Sequence, residues 1–173
     1  ESVAYDSAAR PTGRTEYRFP LPPEPPGAGE GEELTSTWTY YDDPADRRCG
    51  LLHTLRDPLG GVTTVDYDQA GREATRTLPD GTAVETSYYP DGAPWTRTVS
   101  HPGPDGGWSL VTETSYDQEG RVESVTAPGG RVTTTYYDHL GREEARLEPD
   151  STPGADGGEQ AVQRLTWWSY ADL

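Results

Sequence analysis

"SYDQEGRVESVT", residues 115–126, is built as a turn between two strands. Tyr116 ends an alternating, Thr-rich run, Asp117 is placed to accept hydrogen bonds from turn amides, Gly120 supplies a positive φ, and Arg121 opens the return run. Val122 and Val125 stand three positions apart rather than two, which predicts a bulge after the turn. The same phrase recurs as "YDQAGREATRT" at 67–77 and "YDHLGREEARL" at 137–147. Tyr67, Asp68, Gly71 and Arg72 therefore match Tyr116, Asp117, Gly120 and Arg121, and so do Tyr137, Asp138, Gly141 and Arg142. Looser copies begin at Tyr5, with Ala9 in the glycine position, at Tyr40, with an enlarged turn, and at Tyr88, where Gly92 keeps register but Ala93 replaces the arginine.

From Tyr67 to Tyr88, and again from Tyr116 to Tyr137, the step is 21 residues. About halfway through each unit comes a second turn signal: "DPLGG" at 57–61, "LPDG" at 78–81, "APGG" at 127–130 and "EPDS" at 148–151. Between turns lie runs such as "VTTVDY" (62–67), "TAVETSYY" (82–89), "LVTETSY" (110–116) and "RVTTTYY" (131–137), with β-branched or aromatic residues at spacing two. Strand, turn, strand, turn at a fixed period is a repeat architecture. The expected fold is all-β, antiparallel β-hairpin repeats forming a curved strip, with residues 1–173 as a single repeat region.

Composition fits a thin sheet better than a thick core. Leu, Val, Phe and Ile supply 23 residues, about 13% of the chain and below the level at which a highly charged chain usually folds. Against this stand 11 Tyr, 5 Trp and 22 Thr, residue types that suit a pleated, half-buried surface. Aromatic ladders are the expected substitute for aliphatic packing, with guanidiniums stacked among the tyrosines.

A formal charge of −16 repels nucleic acid and anionic lipid, so neither is an expected partner. No apolar run is long enough for membrane insertion. All 14 basic residues are Arg, and Lys, Ile, Asn and Met are absent, as a GC-rich genome would produce. With no Met at position 1, the chain reads as a piece of a longer polypeptide. Cys49 is alone, which excludes an internal disulfide.

Three stretches interrupt the period. A Pro-rich, then Gly- and acid-rich insertion occupies about 20–33, and extended loops are expected at about 101–108 and 149–159.

Tyr-Asp-x-x-Gly-Arg at this spacing, preceded by Thr-rich strands, resembles the YD-repeat of Rhs and teneurin-like proteins, and the resemblance covers most of the chain. It implies a strip of hairpins forming part of a larger YD-repeat shell. In full-length relatives that shell encloses the C-terminal toxin of polymorphic toxins or insecticidal toxin complexes, or serves adhesion at the cell surface. The implied partners are the rest of the parent chain and an enclosed toxin domain, and the implied location is secreted or cell surface. The copies present here are too few to close a cavity. The family's C-terminal "DPxGL" segment and self-cleaving aspartyl site are missing, and "DPLGG" at 57–61 sits where an ordinary inter-strand turn belongs.

Nothing encodes catalysis. His53, His101 and His139 lack metal-ligand spacing, the repeat aspartates have turn roles, and no phosphate loop or nucleophile elbow follows a strand. No enzyme activity, metal or cofactor is expected. The alternative function is carbohydrate binding or adhesion through exposed Tyr and Trp, with Trp95 and Trp108 as the candidate contacts to a surface glycan.

Overall fold

A computed structural model describes residues 1–18, 32–104, 106–153 and 159–170. The chain is all-β. Its strands are β1 (Ser2–Tyr5), β2 (Pro11–Arg18), β3 (Glu32–Tyr40), β4 (Leu52–Arg56), β5 (Val62–Tyr67), β6 (Glu73–Thr77), β7 (Ala83–Tyr88), β8 (Pro94–His101), β9 (Trp108–Tyr116), β10 (Val122–Thr126), β11 (Val132–Tyr137), β12 (Glu143–Pro153) and β13 (Glu159–Trp167). Their order in the sheet is their order in sequence, an antiparallel meander with no crossover. The chain divides into two compact units, one of Glu1–Val84 with His101–Gly106, the other of Glu85–Ser100 with Gly107–Leu173.

One loop form serves both kinds of turn. In the Tyr-Asp turns the Asp117 N–H donates to the Arg121 carbonyl (2.9 Å) and the Gly120 N–H to the Asp117 carbonyl (3.0 Å). The midway turns repeat this: Asp57 to Gly61 and Gly60 to Asp57, Leu78 to Thr82 and Gly81 to Leu78, Ala127 to Arg131 and Gly130 to Ala127. Each is a tight turn closed by a left-handed residue, with φ of 78° at Gly71 and Gly120, 80° at Gly141 and 88° at Gly60. Ala9 takes the same place with φ 59°, the one non-glycine residue in this region among those described.

Bulges lie at the Tyr-Asp ends. Tyr5 pairs with Pro11 and Ala4 with Gly13, so Thr12 is extra. His53, Ala74, Glu123 and Glu144 are the extra residues opposite Tyr40, Tyr67, Tyr116 and Tyr137. Two residues facing one locally disrupt the ladder and increase its twist, and the Val122/Val125 spacing has this cause.

The core is thin, as the composition requires. In the first unit Val65 is fully buried and Thr63 nearly so, while a rung of threonines, Thr39–Thr54–Thr64–Thr77, crosses β3 to β6. The Thr39 and Thr54 hydroxyls lie 2.7 Å apart. In the second unit Ala145 is buried, with Tyr136 and Trp167 as its register neighbours on either side. The Ser115 and Ser124 hydroxyls pair at 2.8 Å on the same sheet.

The structure corrects the sequence in three places. "EPDS" at 148–151 is not a turn: β12 continues to Pro153, with Glu148 opposite Arg164 and Ser151 opposite Ala161. Its sister turns all have glycine at the fourth position to take the positive φ, and here that position is Ser151. Of the loop expected at 149–159, residues 149–153 and Glu159 belong to β12 and β13, and residues 154–158 lie outside the described residues. Similarly, His101 and Trp108 belong to β8 and β9, and Glu32 and Glu33 to β3; the rest of the 20–33 insertion lies outside the described residues.

Two substitutions test the left-handed positions. Ala9→Gly should stabilise the chain by about 0.5–1 kcal/mol, since removing Cβ relieves the positive φ against a modest entropic cost. Gly120→Val should destabilise by about 1–3 kcal/mol through backbone conformation alone, because a Cβ there meets nothing within 4 Å. Urea unfolding of both variants measures the two signs; the same sign for both would refute the shared-loop account.

Candidate functional site

Each Asp in the Tyr-Asp-x-x-Gly-Arg turns is saturated by its own loop. Asp117 Oδ1 accepts the Glu119 N–H (3.0 Å) and the Arg121 N–H (2.9 Å), and Oδ2 accepts Arg121 Nε–H at 2.7 Å. Asp68 does the same with Ala70 and Arg72, Asp138 with Leu140 and Arg142, and Asp6 with Ala8 and Arg10. The carboxylate thus fixes the turn and also aims the arginine.

The aimed guanidinium lies on the tyrosine of the next hairpin. Arg10 covers the Tyr40 ring at 4.5 Å in the first unit. Arg121 covers Tyr137 at 4.5 Å and Arg142 covers Tyr170 at 4.2 Å in the second. Each tyrosine then reaches back by its hydroxyl to the carbonyl just ahead of the previous hairpin's bulge: Tyr40 to Pro11 (2.7 Å), Tyr137 to Val122 (2.9 Å) and Tyr170 to Glu143 (2.8 Å). The bulge leaves that carbonyl available by disrupting the ladder. Tyr116 likewise reaches the carbonyl of Pro94, the first residue of β8, at 3.0 Å. Asp, Arg and Tyr form a relay from one hairpin to the next.

Two turns lack the pair, and aromatic rings stand in. Tyr41 and Tyr89 occupy the Asp position, shown by the Tyr89 N–H donating to the Ala93 carbonyl and the Tyr41 N–H to the Leu51 carbonyl. Tyr89 meets Tyr116 edge-on at 6.0 Å and Tyr41 meets Tyr67 edge-on at 6.3 Å. Their hydroxyls donate to equivalent carbonyls, those of Thr114 and Val65, two residues before each tyrosine. In the enlarged turn, Asp46 and Arg48 rebuild the ion pair at 2.7 Å, and Arg48 stacks on Tyr41 at 4.2 Å while bonding Asp66.

Electrostatics follow from these bonds. For Asp68 the Arg72 amide is the largest influence, opposed by desolvation and reinforced by the guanidinium and the Ala70 amide, and the carboxyl lies below its ordinary value. For Asp117 and Asp138 desolvation pushes upward, but the amide and guanidinium bonds from Arg121 and Arg142 together outweigh it. Asp46, bonded by the side chain and amide of Arg48, falls to about 2.

The sequence candidates for glycan contact do not converge. Trp95, near the start of β8, packs against Tyr89 at 5.9 Å, whereas Trp108 opens β9 at the opposite end of that hairpin. Both are about half exposed. A different aromatic group does gather: Trp167, Trp168 and Tyr170 line an open groove of about 490 Å³ with His139, Arg142 and Glu144. Among the described residues, no three His, Cys, Asp or Glu side chains are grouped to hold a metal ion.

A family model described as RHS Repeat matches residues 50–83 and 116–152. Those two segments match RHS repeats. The matched segments contain the turns of Asp68 and Asp117 with Asp138, so the RHS signature and the relay coincide. No curated protein matches the sequence. Among solved structures, the crystal structure of TcdB2-TccC3-Cdc42 is 13% identical and covers 97% of this chain with a TM-score of 0.51. A TcdB2-TccC3 structure without its hypervariable C-terminal region is 12% identical over 97% of this chain, with a TM-score of 0.49. This chain spans 10% of each of those chains. A porin-like protein from Bacteroides uniformis, 14% identical over 94% of this chain and 87% of its own, has a TM-score of 0.33. The first likeness shows a shared fold for the RHS-repeat strip.

Tyr41, Tyr89 and Tyr170 were not legible as members of this system. A Tyr-Tyr doublet where Tyr-Asp is expected, with no arginine four residues on, marks Tyr89; "SYADL" at 169–173 marks Tyr170.

Two outcomes are expected. Removing one hydroxyl, in Tyr137→Phe, should cost about 0.5–1.5 kcal/mol in urea unfolding, since the Val122 carbonyl loses its donor. Carboxyls whose folded values lie below their unfolded ones stabilise the fold above the unfolded value, and that contribution is lost as pH falls through the folded value. Thermal melting should therefore be flat down to about pH 5 and drop below about pH 4; a drop at neutral pH would contradict the relay's role.

Proposed function

We propose that this chain is a wall segment of a larger RHS/YD-repeat shell, one continuous repeat region whose task is to enclose or present another polypeptide. The observation that carries this reading is the consumption of the motif's Asp and Arg side chains, with the next tyrosine, in shaping a turn or joining the next hairpin, as at Asp117, Arg121 and Tyr137. Such residues build an extendable strip, and none is left aimed at a reacting substrate. The RHS match and the fold shared with a much longer chain support the same role. By the same resemblance, the parent polypeptide is exported or displayed at the cell surface, and its enclosed partner is a toxin domain. We assign no catalytic residue and no cofactor to this segment.

The test uses the native polypeptide that contains residues 1–173. Electron microscopy should reveal a closed shell, and a segment of the same chain should resist protease until the shell is opened. An open particle with every segment equally cleavable would overturn the reading.

Carbohydrate binding is the second reading, favoured by the groove of Trp167, Trp168 and Tyr170 beside His139 and Glu144 rather than by Trp95 and Trp108. Trp167 is 65% exposed, so a sugar ring has a face to stack on. Saturable quenching of tryptophan fluorescence by an oligosaccharide, lost in Trp167→Ala, would establish it; no change across a glycan panel would remove it.

A further inference from the structure

In the second unit β9 outruns its neighbour β10. Their pairing ends with Glu113 opposite Thr126, after which the Ala127 N–H bonds the Arg131 carbonyl and the chain turns into β11. Because β9 starts at Trp108, residues 109–112 have β8 on one side and no strand on the other. Ladder alternation decides which backbone groups are left over. Ala127 faces β11, so Thr126 faces β9 and its partner Glu113 faces β10. Val111 and Ser109 continue that series at spacing two, and each aims an N–H and a C=O at the vacant side. No turn or loop bond among the described residues meets them.

The open groove beside this edge, about 390 Å³, is lined by Leu110 and Val111, by the turn from Ala127 to Gly130, and by one charged residue, Glu113. Leu110 and Val111 are 48% and 42% exposed. Glu113 is exposed and makes no ion pair among the described residues. The turn leaves room, since a Cβ added at Gly129 or Gly130 meets nothing within 4 Å. Other strand extensions of this kind are guarded. In the first unit β3 runs past its pairing with β4, which starts at Thr37, and carries Glu32 and Glu33 there. In the second, β12 runs past its pairing with β11 at Leu147 and carries Pro149 and Pro153. Charges and prolines protect an open edge from stray pairing, and residues 109–112 contain neither.

We infer that this edge of β9 is a strand-docking site for an extended segment of another polypeptide in which basic and apolar residues alternate. The unpaired backbone groups call for a strand, Leu110 calls for apolar cover, and Glu113, on a chain of formal charge −16, selects arginine or lysine. Val111 and Glu113 share one face of β9, so a basic side chain opposite Val111 covers it with its stem and reaches Glu113 on the diagonal. A second copy of this chain brings the same negative charge and is the poorer occupant. The inference rests on the reading of the chain as a wall that presents another polypeptide, and adds where that polypeptide is gripped.

The probe is a hexapeptide of alternating arginine and valine, added to the full 173-residue chain, with hydrogen exchange read at the Ser109 and Val111 amides. At about ten times the peptide's Kd their protection should rise roughly tenfold, and the glutamate–valine counterpart should give no gain at low salt. Val111→Pro deletes an N–H that faces no neighbouring strand, so the fold should persist and the gain should vanish. If that variant does not fold, Glu113→Lys decides, because it should reverse the preference between the two peptides. No gain at these amides, an equal gain with both peptides, or an unchanged preference in Glu113→Lys overturns the inference. So does protection that rises with protein concentration in the absence of peptide, which makes a second copy the occupant. A closed native shell in which this edge binds nothing refutes the docking site alone, whereas an open native particle refutes the wall.

Discussion

The short contact between each turn carboxylate and its arginine is the constraint on which the rest depends. It braces a turn that main-chain bonds already close, because the same carboxylate takes two backbone amides, and it spends the arginine's freedom before the next hairpin arrives. A guanidinium is planar, always charged and weakly hydrated, so once oriented it lies flat on an aromatic ring at little further cost. Lysine would offer a mobile point charge instead. A chain whose basic residues are all arginine is well supplied for this use, whatever the origin of that bias.

This arrangement resolves the conflict between composition and folding. Among the described residues only Val65 and Ala145 are buried apolar side chains, far fewer than a globular domain of this length would use. Stability has to come from contacts repeated at every hairpin: main-chain ladders, threonine rungs such as Thr39–Thr54–Thr64–Thr77, and the tyrosine that bridges two hairpins with ring and hydroxyl together. Energetics of that kind are nearest-neighbour. They add with length rather than with volume, as an extendable strip of hairpins requires.

The turns were legible from sequence because every interaction that defines them is local. Asp117 to Arg121 spans four residues, and the glycine requirement is intrinsic to one position. Strand alternation, the meander and the bulge followed from the same short-range pattern. Stacking of guanidiniums on tyrosines was legible in kind, but the hydroxyl links between hairpins were not, since Tyr137 to Val122 spans 15 residues and Tyr89 to Thr114 spans 25, and nothing local distinguishes a tyrosine that packs backward from one that packs forward. The failure at 148–151 has the opposite lesson. Proline and aspartate alone looked like a turn, but without a glycine to accept positive φ the chain stayed extended and β12 lengthened.

The doublets at Tyr40–Tyr41 and Tyr88–Tyr89 show how the scheme tolerates change. Replacing Asp by Tyr removes the amide acceptor, and the turn survives because its main-chain bonds, Tyr89 to Ala93 and Gly92 to Tyr89, remain. Loss of the arginine is then harmless to the joint, since the new ring occupies the guanidinium's side of the next tyrosine. Either change alone leaves the slot badly filled: an arginine without its carboxylate is unaimed, and an aspartate without its arginine carries an unpaired charge beside an aromatic ring. At residues 89 and 93 both positions have changed, four residues apart on one loop, whereas beside Tyr41 the enlarged turn brings in Arg48 with its own carboxylate, Asp46, so the joint keeps either a braced guanidinium or a second ring.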